Sequence, residues 1–147
     1  MTKRKRRSEP KRSSSNPSLP ELFVDRSLGR RKIPDRLREV HPKVIAHDDL
    51  FSPDTDDEVW LEEAGRQGWM VLTKDERIRR KPGEQMAIVQ FGARCFVLHP
   101  TKGMTAEEMA EVLVRALPRI LAITRDEKRP GFVKIVNRQG RVRHLFP

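Results

Sequence analysis

The chain has 147 residues, of which 36% are hydrophobic, and a formal net charge of +10. That length fits one ordinary domain with a single apolar core and argues against two. No run approaches the roughly 18 uninterrupted apolar residues that cross a bilayer, and no apolar stretch follows the basic N-terminus, so neither a membrane span nor a signal peptide is expected and the reading is cytoplasmic.

Residues 1–20 hold Lys3, Arg4, Lys5, Arg6, Arg7, Lys11 and Arg12 against Glu9 alone, which is more than half of the excess charge. A segment this basic and this rich in Ser and Pro cannot bury apolar surface, so a disordered tail is expected. Its functional reading is attraction to a polyanion such as nucleic acid through counterion release. A solubilising extension or a nuclear-import signal has the same composition. The tail ends at Asn16-Pro17-Ser18-Leu19-Pro20, and a single domain is expected over 21–147.

Leu22-Phe23-Val24 predicts a buried strand that ends in Asp25. After a turn at Gly29, Pro34 suits the first turn of a helix that buries Ile33, Leu37 and Val40. A second strand is predicted over Lys43–Ala46. Thr55-x-x-Glu58 has the form of a capping box and predicts a helix from about Asp56 to Gln67, with Val59, Trp60 and Ala64 inside and Gly68 as its stop. Trp69–Thr73 is a β-rich run that delivers Lys74 and Asp75 just past its end. The order βαβαβ leaves crossovers long enough for parallel pairing.

Arg77, Arg79, Arg80 and Lys81 form a basic stretch before Pro82-Gly83. Ala87–Phe91 and Cys95–Leu98 read as further strands of the sheet. The one cysteine, Cys95, cannot form an internal disulfide, and its setting in ARCFVL predicts a packed thiol. Thr105-x-x-Glu108 repeats the capping signature and opens a helix that buries Met109, Val112, Leu113 and Leu117 before Pro118. Phe132–Val136 and Arg141–Leu145 flank Asn137-Arg138-Gln139-Gly140 as a β-hairpin. The fold class is therefore α/β with a mostly parallel sheet and a C-terminal hairpin, and no internal repeat is present.

In an open parallel sheet, ligands collect beyond the C-terminal ends of the strands. Asp25 and Asp75 fall at two such ends, and Asp56 and Asp57 fall at the start of the helix on the same side. Carboxylates crowded there repel one another unless a cation neutralises them, so the cluster predicts metal. Oxygen ligands favour magnesium or manganese, and neither the four histidines nor the lone thiol has zinc spacing. Such ions support phosphodiester hydrolysis, with Lys74, Arg77, Arg79 and Arg80 placed to hold a nucleic-acid backbone. Each acid also has a plainer role: Asp56 or Asp57 as a first-turn residue favoured by the helix dipole, Asp75 as the cap of a short following helix, Asp25 as the start of a turn.

The segments FVDRSL and DDEVWLEEAGRQGWMVLTKDERIRR resemble the PIN-like domains of VapC-type toxins and the related Mut7-C ribonuclease-like family. The matching features are Asp25 at the end of the first strand, Asp57 followed by Trp60-Leu61, and Gly68-Trp69 leading to Thr73-Lys74-Asp75. The resemblance runs from Leu22 to about Glu84. It implies a three-layer PIN-like fold and a magnesium- or manganese-dependent endoribonuclease, with Asp25, Asp57 and Asp75 as catalytic and metal-binding residues and Asp56 as the alternative to Asp57. It also implies RNA as substrate and an antitoxin protein that covers the acidic cleft. Many relatives carry a second acid after the first aspartate, where Arg26 stands here. Glu58, Glu76 and Glu84 are candidates for a fourth acid.

A catalytically inactive PIN-like module that binds RNA or protein is the competing reading. A phosphoacceptor receiver domain is a third, although Asp25-Arg26 does not supply that class's paired acids. A homodimer is the default for self-association of a small chain.

Overall fold

A computed structural model describes residues 19–147, so the disorder expected for the basic tail lies outside the described residues except at Leu19 and Pro20. Six strands form one sheet in the order β2-β1-β3-β4-β5-β6. They are β1 (Leu22–Val24), β2 (Val44–Ala46), β3 (Met70–Thr73), β4 (Arg94–Leu98), β5 (Phe132–Val136) and β6 (Val142–Phe146). The first five are parallel and β6 returns antiparallel against β5, which is the hairpin expected from Asn137–Gly140. Leu22, Phe23 and Val24 are all fully buried although β1 has only three residues. A strand covered on both faces has no polar side to alternate with.

Helices cover both faces, giving three layers. On one side α1 (Lys32–Arg38) and α6 (Ala106–Asp126) bury Ile33, Leu37, Leu113 and Ile120 against Leu22, Val24, Leu72 and Phe96. On the other side α3 (Asp57–Gln67), α4 (Glu76–Arg80) and α5 (Pro82–Phe91) bury Trp60, Leu61, Ile78 and Ile88 against Phe23, Val71 and Val97. A short α2 (His47–Leu50) follows β2 directly. Gly65 lets α3 approach α5 closely: a Cβ there would stand 1.8 Å from the Phe91 carbonyl oxygen.

Several expectations are corrected. Ala87–Phe91 is the second half of α5 and not a strand. Pro82 at its first turn and Gly92 at φ +75° frame a ten-residue helix, and a short apolar run does not tell strand from helix by periodicity. The Thr55–Glu58 capping box does not form: α3 begins after Asp56 with no side-chain cap, and the Thr55 N–H bonds the Ser52 carbonyl instead. Within α3, Val59 is 52% exposed and Leu61 takes the buried place. Val40 lies past the end of α1 and is exposed. The box at Thr105 and Glu108 does form, with bonds of 3.0 and 2.8 Å, but α6 runs through Pro118 to Asp126. Packing of Ala116, Leu117 and Ile120 outweighs the roughly 3 kcal/mol that an interior proline costs. Cys95 is fully buried, and burial pushes its thiol up, so it is a packing residue.

Candidate functional site

The sheet changes its direction of growth at β1, which has β2 on one side and β3 on the other. Val24 is in register with Ala46 and with Leu72, so the residues following β1, β2 and β3 emerge together at one edge. That is the place where open α/β sheets bind ligands. Asp25 leaves β1, His47 and Asp48 leave β2, Lys74 and Asp75 leave β3, and α3 brings Asp57 to the same edge.

Each aspartate is held by one carboxylate oxygen. The Oδ2 of Asp25, a residue only 6% exposed, accepts from Thr73 Oγ1 at 2.7 Å and from Ser27 Oγ at 2.8 Å. Each hydroxyl has a single proton and spends it on Asp25, so its lone pairs receive backbone N–H groups: Asp75 N–H to Thr73 at 3.0 Å and Lys74 N–H to Ser27 at 3.0 Å. The buried Thr73 thereby links Asp25 to the backbone of Asp75. Asp75 caps α4 through Oδ1, which takes the Arg77 N–H at 2.9 Å. Asp57 Oδ1 accepts from the indole N–H of the buried Trp60 at 3.1 Å.

The other oxygens of Asp57 and Asp75 meet on one cation. Arg77 Nη2 lies 2.9 Å from Asp57 Oδ2 and 2.8 Å from Asp75 Oδ2, and Nε donates to Asp75 Oδ1 at 3.2 Å. Burial disfavours the charged form of Asp75, but the hydrogen bonds and charge of Arg77 outweigh it and hold the carboxyl below its usual range. The same pairing, chiefly the bonds to Asp75, raises the guanidinium's own value. A groove of about 430 Å³ opens here between α3 and α5, lined by Asp56, Asp57, Glu58, Glu84 and Arg77. Among the described residues no three His, Cys, Asp or Glu side chains converge as a metal cluster. The structure thus brings Asp57 and Asp75 together, while Asp25 reaches Asp75 only through Thr73.

The donor set nonetheless suits a hard divalent ion. The acids offer carboxylate oxygen only, and the span between Asp57 Oδ2 and Asp75 Oδ2 already admits a cationic nitrogen. Asp56 precedes the first turn of α3 with its side chain exposed, whereas Asp57 is part-buried and engaged. Of the basic residues, Arg80 is exposed, Lys74 is half-buried, Arg79 pairs with Glu76, and Arg77 is committed to the acids. Glu76 also lies 3.3 Å from His99 Nδ1, while Glu58 and Glu84 line the groove.

Sequence reasoning gave no site role to Ser27 and Asp48, nor to Trp60 and Thr73, although the latter two lie in the segments that carry the resemblance. Asp48 sits beyond β2, with Arg26 Nε at 2.8 Å and the buried His47 Nδ1 at 2.9 Å from its Oδ1. The hydrogen bond from His47, together with that from Arg26, holds its carboxyl low against the opposing effect of burial. The available signal was register: with β1 and β2 parallel neighbours, Asp25-Arg26 must lie beside His47-Asp48.

The family described as PIN like domain matches residues 20–100, a span that contains Asp25, Asp57 and Asp75. The chain belongs to this PIN-like family. It is 30% identical over 132 residues to "Putative ribonuclease VapC45" of Mycobacterium tuberculosis (strain ATCC 25618 / H37Rv), covering 86% of this chain and 93% of that protein. No solved structure gives a significant match. No helix among the described residues is long and apolar enough to cross a membrane.

Proposed function

We propose that the protein is a magnesium- or manganese-dependent endoribonuclease and the toxin of a toxin–antitoxin pair, acting on cytoplasmic RNA through Asp25, Asp57 and Asp75. The observation that carries this reading is the pair of carboxylate oxygens, Asp57 Oδ2 and Asp75 Oδ2, aimed at one cation while their partner oxygens are tied to the fold. The name of the mycobacterial relative agrees with it.

A bound divalent ion would supply an activated water and offset charge on the attacking and leaving oxygens. The chain's own part is to hold the acids still. Thr73 and Ser27 fix the rotamer of Asp25, the α4 N-terminus fixes Asp75, and Trp60 fixes Asp57. Arg80 and Lys74, with Arg79 beside them, are the cations available to the RNA backbone, and the basic residues of the tail add long-range attraction. An antitoxin would act by covering the acidic groove, and homodimerisation is part of the same proposal.

The test is cleavage of a mixed RNA pool with magnesium or manganese. Asp25→Asn and Asp75→Asn should abolish cutting while retaining the wild-type circular dichroism spectrum. Asparagine can still cap α4 and still accept from Thr73, so the folds should persist. Undiminished cleavage in EDTA would sink the reading. A second reading, an inactive RNA- or protein-binding module, is favoured by one observation: among the described residues the acids do not converge as a cluster of three. RNA binding that metal leaves unchanged, with no cleavage of any pool, would select it.

A further inference from the structure

We propose that Arg77 is a resident counter-cation of the acid pair, occupying the metal position in the metal-free protein and giving it up when a divalent ion binds. The inference rests on the metal-dependent reading above and deepens it by naming what the ion must displace.

Two carboxylates aimed at one point would repel each other in the absence of a cation. Arg77 supplies that cation: its Nη2 is shared between Asp57 Oδ2 and Asp75 Oδ2, and its Nε also reaches Asp75 Oδ1 at 3.2 Å. A shared nitrogen between two acids is the geometry of a bridging cation. The fork of Nε and Nη2 on Asp75 would suffice for a strut dedicated to that carboxylate, and the further bond from Nη2 to Asp57 Oδ2 is what makes the guanidinium a bridge between the two acids.

The remaining contacts show what departure of the guanidinium would leave behind. Asp75 Oδ1 keeps the Arg77 backbone N–H at 2.9 Å, and Asp57 Oδ1 keeps the Trp60 indole at 3.1 Å. Neither acid depends on the guanidinium for its position. The Arg77 side chain is itself 54% exposed, so it can swing into solvent without opening the core. The groove wall around it bears Asp56, Glu58 and Glu84, so cation exchange keeps the local charge balanced and a simple vacancy would not.

A structural strut and a counter-cation differ in their effect on metal affinity. If Arg77 competes for the pair, removing it should tighten metal binding, because the ion no longer has to break two ion pairs. Exposed ion pairs are weak, so the gain should be on the order of three- to tenfold. The experiment is titration of the full chain with Mn2+ alone, following free Mn2+ by electron paramagnetic resonance, for wild type, Arg77→Ala, Arg77→Gln and Asp75→Asn. Arg77→Gln retains most of the side-chain stem and guards against misfolding of the alanine variant. The expected result is tighter binding in both Arg77 variants and weaker binding in Asp75→Asn. Wild-type or weaker affinity in both Arg77 variants overturns the counter-cation role and leaves the nuclease reading intact. Absence of Mn2+ binding in every chain, wild type included, overturns the metal-dependent reading and this role with it.

Discussion

Thr73 gives its hydroxyl proton to Asp25 across 2.7 Å, and the same oxygen receives the backbone N–H of Asp75 at 3.0 Å. One fully buried side chain thus sets the carboxylate at the end of β1 and the turn that launches α4 from β3.

Replacing it with the isosteric Val removes both bonds without changing volume. Thr73→Val leaves a buried carboxylate oxygen and an amide short of a partner, so a loss of about 1–3 kcal/mol is expected in urea denaturation. RNA cleavage should fall as well, because Asp25 loses one of its two orienting hydroxyls. An unchanged midpoint would show that the hydroxyl is not engaged as described.

The pH dependence of stability should carry the mark of Asp75. Its folded value is depressed, so its contribution is complete above the unfolded carboxylate value of about 4 and is lost as pH falls through the lower folded value. Asp75→Asn cannot titrate. The stability gap between wild type and this variant should therefore shrink as the pH falls below the unfolded carboxylate value of about 4 when thermal unfolding is followed across a pH series. A gap that stays constant would contradict the pairing with Arg77.

Trp60 joins core to site. Its ring is 1% exposed and stacks on Phe23 at a centroid distance of 5.2 Å, while its N–H anchors Asp57. Trp60→Phe should cost about 2–3 kcal/mol through lost volume and a lost bond. It should also weaken Mn2+ binding, whereas a core substitution remote from the site, such as Val133→Ala, should lower stability alone. Equal Mn2+ affinity in wild type and Trp60→Phe would remove Asp57 from the site.

The close approach of α3 and α5 yields a paired prediction. Gly65→Ala puts a methyl 1.8 Å from the Phe91 carbonyl oxygen, so the helices must separate, at a cost of about 1–3 kcal/mol or more. Gly83→Ala meets nothing within 4 Å and should be neutral or slightly stabilising. Denaturation midpoints of the two variants should differ in that direction. Equal midpoints would mean that the helices are not packed as described.

Much of the fold was legible because burial writes itself into local pattern. The apolar runs at Leu22–Val24 and Trp69–Thr73, the Thr105–Glu108 box and the Gly140 turn all lie where reading predicted. The failures have physical causes. Ala87–Phe91 is too short for periodicity to separate helix from strand, and the helix it belongs to starts at Pro82. Thr55 has the right spacing for a cap, but its amide is already spent on Ser52. In the site, strand-end topology pointed to Asp25 and Asp75, with Asp56 and Asp57 at the helix start on the same side, and the preference for Asp57 came from the resemblance. The engagement of Arg77 was not legible, because a residue in a run of like charges gives no local sign of which member turns inward. The role of Ser27 and Thr73 was not legible for a similar reason: it is defined only once β1 and β3 lie side by side.

Because every acid of the site has one oxygen that belongs to the scaffold and another that does not, chemistry and folding are carried by different atoms of the same side chain. Asparagine preserves the first and spoils the second. A lineage could therefore lose activity at this edge by single substitutions that keep the fold, and the quality-control machinery that senses unfolding would register little change.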